Sequence, residues 1–174
     1  MASTLPSASG RRSLADRILP RQVDNSFDGH RAALWLLGLL IALKLVMSVR
    51  SIFDTVSVAA GADGIPLDSF GPAAAREVLL LFALMALGHL VLELIAVTIL
   101  IRYRALVPFI YLVLLGEHLA RRFISQSYRV PGTESTAVAW YVNYGLLSLL
   151  ALGLVLSLIH ARGDRRRVAL PKED

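Results

Sequence analysis

Apolar residues dominate four long stretches of the chain, at 32–49, 78–101, 105–123 and 137–159, and polar residues are gathered between them. Within each stretch the apolar positions fall on every face of a helix instead of one stripe, the pattern of a segment solvated by lipid. At about 1.5 Å per residue, 18 residues span about 27 Å, close to the roughly 30 Å hydrocarbon thickness of a bilayer. The first run is therefore near the minimum length, and it holds Lys44. Basic residues before it and the small residues 59–62 after it offer a signal peptide as the competing reading. Its length and its lysine favour a retained anchor. The second run is the clearest, contains His89 and Glu93, and closes at Arg102-Tyr103-Arg104 in a tight hairpin. The third is the weakest, because Glu117, His118, Arg121 and Arg122 follow Gly116; taken alone it reads as a re-entrant segment. The fourth opens with Trp140, Tyr141 and Tyr144, placed as an interfacial belt.

Three polar regions separate these runs. Residues 1–31 start Ser-, Ala- and Pro-rich and carry Arg11, Arg12, Arg17 and Arg21, which predicts a flexible basic cytoplasmic arm. Residues 13–19 suit one or two helical turns, with Leu14, Ile18 and Leu19 touching headgroups. Residues 50–77 read as an outer loop, positioned to cover the bundle mouth, with turns at Asp63-Gly64 and Gly71-Pro72; Pro72 suits the first turn of the next helix. Residues 161–174 form a basic cytoplasmic tail, preceded by a transmembrane domain over 32–160.

Composition sharpens this picture. Of 174 residues 56% are hydrophobic and the mean hydropathy is +0.62, more apolar than a water-soluble domain. The net charge of +5 comes from arginines that flank apolar runs without interleaved aromatic residues, so no nucleic-acid partner is expected. With no cysteine, thiolate catalysis, disulfides and Cys-ligated metals are excluded. Four crossings with the N-terminus inside put Arg11, Arg12, Arg17, Arg21, Arg31, Arg102, Arg104, Arg162, Arg165, Arg166, Arg167 and Lys172 on one face. Arg50, Arg76, Arg121, Arg122 and Arg129 fall on the other. Twelve against five obeys the positive-inside bias, whereas three crossings would split the terminal basic clusters. The expected fold is all-α, a four-helix transmembrane bundle with both ends in the cytoplasm.

The blocks NSFDGHRAALW, SVAAGADGIPLDSFG and RYRALVPFIYLVLLGEHLARR are similar to those of a family of small, uncharacterised bacterial four-span membrane proteins. The resemblance implies a bacterial inner-membrane location and assigns no site residues.

Ionisable groups within membrane spans are costly, so they are the first place to look for function. Lys44 lies 13 residues beyond Arg31, His89 13 before Arg102, His118 14 beyond Arg104 and Ser148 14 before Arg162, each about 20 Å from the inner boundary. Glu117 shares that depth; Glu93 lies about a turn inward on the face of His89, and Asn143 and Tyr144 about a turn outward. The bland reading of this polar layer is an interhelical clasp, with Lys44 neutralised by Glu117 or Glu93. Two sharper readings are a proton or ion path and a b-type haem between His89 and His118. The pair Arg121-Arg122 is a candidate lipid-phosphate contact or a plain interfacial anchor. Asp54, Asp63 and Asp68 match no calcium loop, and no hydrolase triad, zinc helix or phosphate loop occurs. No catalytic residue and no metal are assigned. Close helix approach is expected at Gly38, Ala42, Gly88, Gly145, Gly153 and Ser157. The favoured function is a non-catalytic membrane subunit or helper contacting another membrane protein, a second copy or lipid. The alternative is a small carrier of protons, ions or electrons.

Overall fold

The computed structural model describes residues 14–20, 22–128 and 137–159, which are all-helical, with no strand among them. A short helix α1 (Leu14–Ile18) precedes α2 (Arg31–Phe53); a turn α3 (Thr55–Ser57) leads to α4 (Pro72–Arg102), then α5 (Val107–Ser127) and α6 (Ala137–Leu158). The basic clusters at Arg11–Arg12 and Arg162–Lys172 lie outside the described residues, as do Arg21 and Arg129.

Each long helix starts and stops for a local reason. His30 caps α2, its Nδ1 accepting from the Ala32 amide at 3.2 Å. Gly71 precedes α4 and Pro72 occupies its first position, where a missing N–H costs nothing. At the far end the Tyr103 amide donates to Ile99 O, and the 3₁₀ turn Arg104–Leu106 reverses the chain into α5. Three segments, Arg31–Phe53, Pro72–Arg102 and Trp140–Leu158, are long and apolar enough to cross a membrane. Their outward faces carry exposed Trp35, Leu39, Leu81, Leu84, Leu94 and Leu152, an arrangement that lipid stabilises and water does not.

The inward face of α2 presents Ala33, Leu37, Leu40, Ile41, Lys44 and Ser48, spaced for one continuous stripe. Against it pack α4 and α6, and α5 lies on α6; α4 and α5, though joined by the hairpin, touch far less. The core at the hairpin end is Leu37, Leu40, Ile41, Ala96, Ile99, Ile110, Leu114 and Leu150 around Tyr111. The buried Tyr111 hydroxyl donates to Ala33 O at 2.7 Å, and its ring fills the space left by Gly153 on α6. A tyrosine from α5 thus joins three helices.

Several expectations are corrected. Residues 50–77 are not a plain loop: α2 runs on to Phe53, Thr55–Ser57 and a wide π turn Val58–Ala62 follow, and α4 already begins at Pro72. Backbone groups near an apolar boundary need internal partners, and helical turns supply them. Residues 14–20 and 22–30 are docked at three points, not a free arm. The His30 amide donates to Leu156 O at 3.1 Å, Arg17 to Leu158 O at 3.1 Å, and the Ala105 amide to Asp24 O at 3.3 Å. The first two bonds satisfy carbonyls of the last turn of α6 that have no partner within the helix. Of the small residues, Gly153 leaves no room for a Cβ against Tyr111 and a Cβ at Gly38 would meet Leu100 at 3.6 Å, but one at Gly88 or Gly145 would meet nothing within 4 Å, and Ala42 is exposed.

Candidate functional site

Ion pairs cross the middle of the bundle between helices that the sequence places at equal depth. Lys44 on α2 meets Glu93 on α4 at 3.1 Å, with side chains only 8% and 0% exposed. One α2 turn further along, the Ser48 hydroxyl donates to the other Glu93 oxygen at 3.2 Å. A charge pair this deep holds only if each group is neutralised and hydrogen-bonded, and Lys44 and Ser48 do this for Glu93 from one helix. His89 also lies on α4, 2.9 Å from Glu117 on α5, whose same oxygen receives Arg121 at 3.3 Å. His89 therefore bridges two helices that, though joined by the hairpin, touch little elsewhere.

His118 points away from His89. Its Nε2 donates to the Asn143 carbonyl on α6 at 3.1 Å, and its Nδ1 lies 3.1 Å from Arg121 as acceptor. Arg122 turns to Tyr144, donating to the hydroxyl with its guanidinium 4.1 Å from the ring centre. The two arginines treated as a pair in the sequence thus serve different ends. Ser148 is exposed on the outer side of α6 and belongs to no layer, and Tyr144 joins Arg122 instead of the central charges. Of the other candidates, Lys44 pairs with Glu93, His89 with Glu117, and His118 with the Asn143 backbone carbonyl.

Above these charges, toward the α2–α4 connection, is a cavity of about 560 Å³. Lys44, Ser48, His89, Asn143 and Arg121 line its deeper part, while Met47, Phe82, Met85, Val142 and Leu146 form apolar walls. Arg50, Val58, Gly61 and Asp63 rim it. Met85 lines the cavity yet is 45% exposed on the outer surface of α4, so the space reaches the flank of the bundle as well as its end. At the rim Asp63 keeps an exposed surface, and partial desolvation by neighbouring chain raises its carboxyl from the ordinary range against an opposing pull from Arg121. Asp54, hydrogen-bonded by Ser57 and by Arg50 at 3.1 Å, is held below it.

No protein family, curated protein or solved structure matches this chain. Its function is therefore argued from the geometry of these residues.

A second cavity, of about 580 Å³, opens at the opposite end beneath the docked residues 16–29, lined by Asp16, Arg17, Asp24, Asp28, Pro108 and Ser157. It touches none of the central charges. Sequence reasoning missed two contributors. Ser48 was legible as the residue one turn from Lys44 on its own face; Tyr111 carried no signal, because its role depends on neighbours from other helices. Asp63, weighed in the sequence only as a loop residue and an oxygen ligand, lines the cavity.

Proposed function

We propose that this chain is a four-span protein of the bacterial inner membrane, with both termini cytoplasmic, that acts as a non-catalytic helper by holding a membrane amphiphile. The observation that carries this reading is the cavity beside the α2–α4 connection, with apolar walls, a charged floor and an opening on the flank. Such a lining suits a molecule with a polar head and an apolar tail. It is also blind: past Glu93 the core toward the hairpin is Leu, Ile and Ala around Tyr111. This favours binding over passage of protons or ions. The histidines do not favour a haem between them, since both ring nitrogens of His118 are engaged, by the Asn143 carbonyl and Arg121, and His89 gives its Nε2 to Glu117. The fourth span in this reading is α5, whose 21 residues make about 32 Å of continuous helix and whose charged end is absorbed by His89, His118, Tyr144 and Arg121.

Two measurements test it. Reporter fusions at the N-terminus, near Tyr103 and at the C-terminus are expected to read cytoplasmic, and those near Gly64 and Gly132 external. A cytoplasmic reading near Gly132 would remove α5 as a span. Native mass spectrometry of the full chain from mild detergent is expected to show about one retained lipid per protein, lost in Gly61→Phe. A Cβ at Gly61 meets no atom within 4 Å, so that variant crowds the cavity rim without straining the fold. Wild type and variant carrying the same lipid load, or neither carrying any, overturns the binding reading.

A further inference from the structure

The lining of the cavity is unequal in charge. Lys44, Arg50 and Arg121 border it as cations against one acid, Asp63. The two carboxylates that neutralise the deeper cations, Glu93 and Glu117, stand behind them and do not border the space. What a ligand meets is therefore the cationic side of each pair.

The donors have capacity to spare. An ammonium carries three N–H groups and a guanidinium five. Lys44 approaches Glu93 with one contact, and Arg121 reaches Glu117 through Nε and His118 through one terminal nitrogen. Arg121, part-exposed at the cavity wall, keeps a planar edge suited to two-point binding of a phosphate or carboxylate. Arg50 at the rim is 65% exposed and paired with Asp54, itself 46% exposed, so it can turn inward at little cost.

We infer that the cavity selects an amphiphile with an anionic head, a phosphate or carboxylate, gripped by Arg121 and Lys44 with its tail against the apolar wall that ends at Met85. This rests on the amphiphile-binding reading above and adds the head-group class. Hydrogen bonds to charged partners contribute about 1.5–3 kcal/mol each, so one lost contact translates into roughly tenfold or more in affinity.

The test is lipid titration of the full-length protein in mild detergent, read by native mass spectrometry. Three probes are compared: dioleoyl phosphatidylglycerol, dioleoyl phosphatidylcholine and water-soluble glycerol 3-phosphate. Phosphatidylglycerol is expected to bind about tenfold or more tighter than phosphatidylcholine, with glycerol 3-phosphate weakest for lack of a tail. In the neutral double variant Arg121→Gln with Glu117→Gln, which removes both members of an ion pair together, the preference should collapse while phosphatidylcholine binding persists. Equal binding of the two lipids by the wild type, blocked by Gly61→Phe, overturns the anionic selection and leaves the amphiphile reading standing. Glycerol 3-phosphate binding as tightly as phosphatidylglycerol supports the anion site and overturns the role of the tail. No binding of any probe overturns both. The wild-type ratio of the two lipids decides the inference even if the double variant does not fold.

Discussion

Lys44→Met is expected to destabilise the bundle by about 3–5 kcal/mol, the cost of breaking a buried ion pair by removing one partner. Methionine keeps most of the stem's volume, so the loss reports on charge and not on packing. What remains is Glu93, 0% exposed, with only the Ser48 hydroxyl to compensate it. An orphaned carboxylate in such surroundings is neutralised by proton uptake, which limits the damage to the lower part of that range. Adding Glu93→Gln removes the uncompensated charge, and the double variant is expected to regain at least about 1 kcal/mol relative to the sum of the single changes. Thermal unfolding in mild detergent measures this cycle, and a parallel cycle with Glu117→Gln supplies the control. Glu117 is held by His89 and Arg121 instead, so its coupling to Lys44 should be the smaller. Additivity in the Glu93 cycle, or stronger coupling to Glu117, would show that the 3.1 Å pair is not the one that holds α2 to α4.

The second large effect is expected at Gly153→Ala. A helix interior ordinarily gains about 1 kcal/mol when glycine becomes alanine, because the unfolded chain loses freedom. Here the added methyl would fall on the Tyr111 ring. That ring is fully buried and tethered by its hydroxyl to Ala33 O at 2.7 Å, so it cannot swing aside without giving up an interhelical hydrogen bond. Overpacking at about 3 kcal/mol, the upper end of its usual range, outweighs the propensity gain and leaves a net loss of about 2 kcal/mol. Combining Gly153→Ala with Tyr111→Leu should bring the alanine's effect back toward neutral, since the clashing ring is gone. The readout is the difference in unfolding midpoint between each alanine variant and its own glycine parent. An alanine that stabilises the wild-type background would mean that α5 and α6 are not interlocked at this point. Gly88→Ala, where an added side chain meets open space, is the matched control and is expected to be neutral or mildly stabilising.

Distance along a helix axis is a count of residues, and so the depth of each polar group is legible in the sequence. Lys44, His89, Glu117 and His118 count to one level; His89 meets Glu117 there and Arg121 links Glu117 to His118, while Lys44 pairs with Glu93 about a turn away. The apolar runs mark four stretches, and three of them are helices long and apolar enough to cross a membrane; the third, α5, is interrupted by Glu117, His118, Arg121 and Arg122. Rotation about the axis is different. A helix apolar on every face has no stripe to say which side turns inward, so in the sequence Ser148 is as good a member of the layer as Asn143, and Lys44 has two acids to choose from. Tertiary packing makes those choices: α4 turns Glu93 to α2 and His89 toward α5, two residues of one face serving different neighbours. The cavity belongs to the same class of fact. Its walls come from α2, α4, α5, α6 and the α2–α4 connection, and its cationic lining exists because Glu93 and Glu117 are rotated behind their partners. Sequence alone determined which residues share a depth along the helices; only the packing of those helices decided which of them face one another and which face the space between.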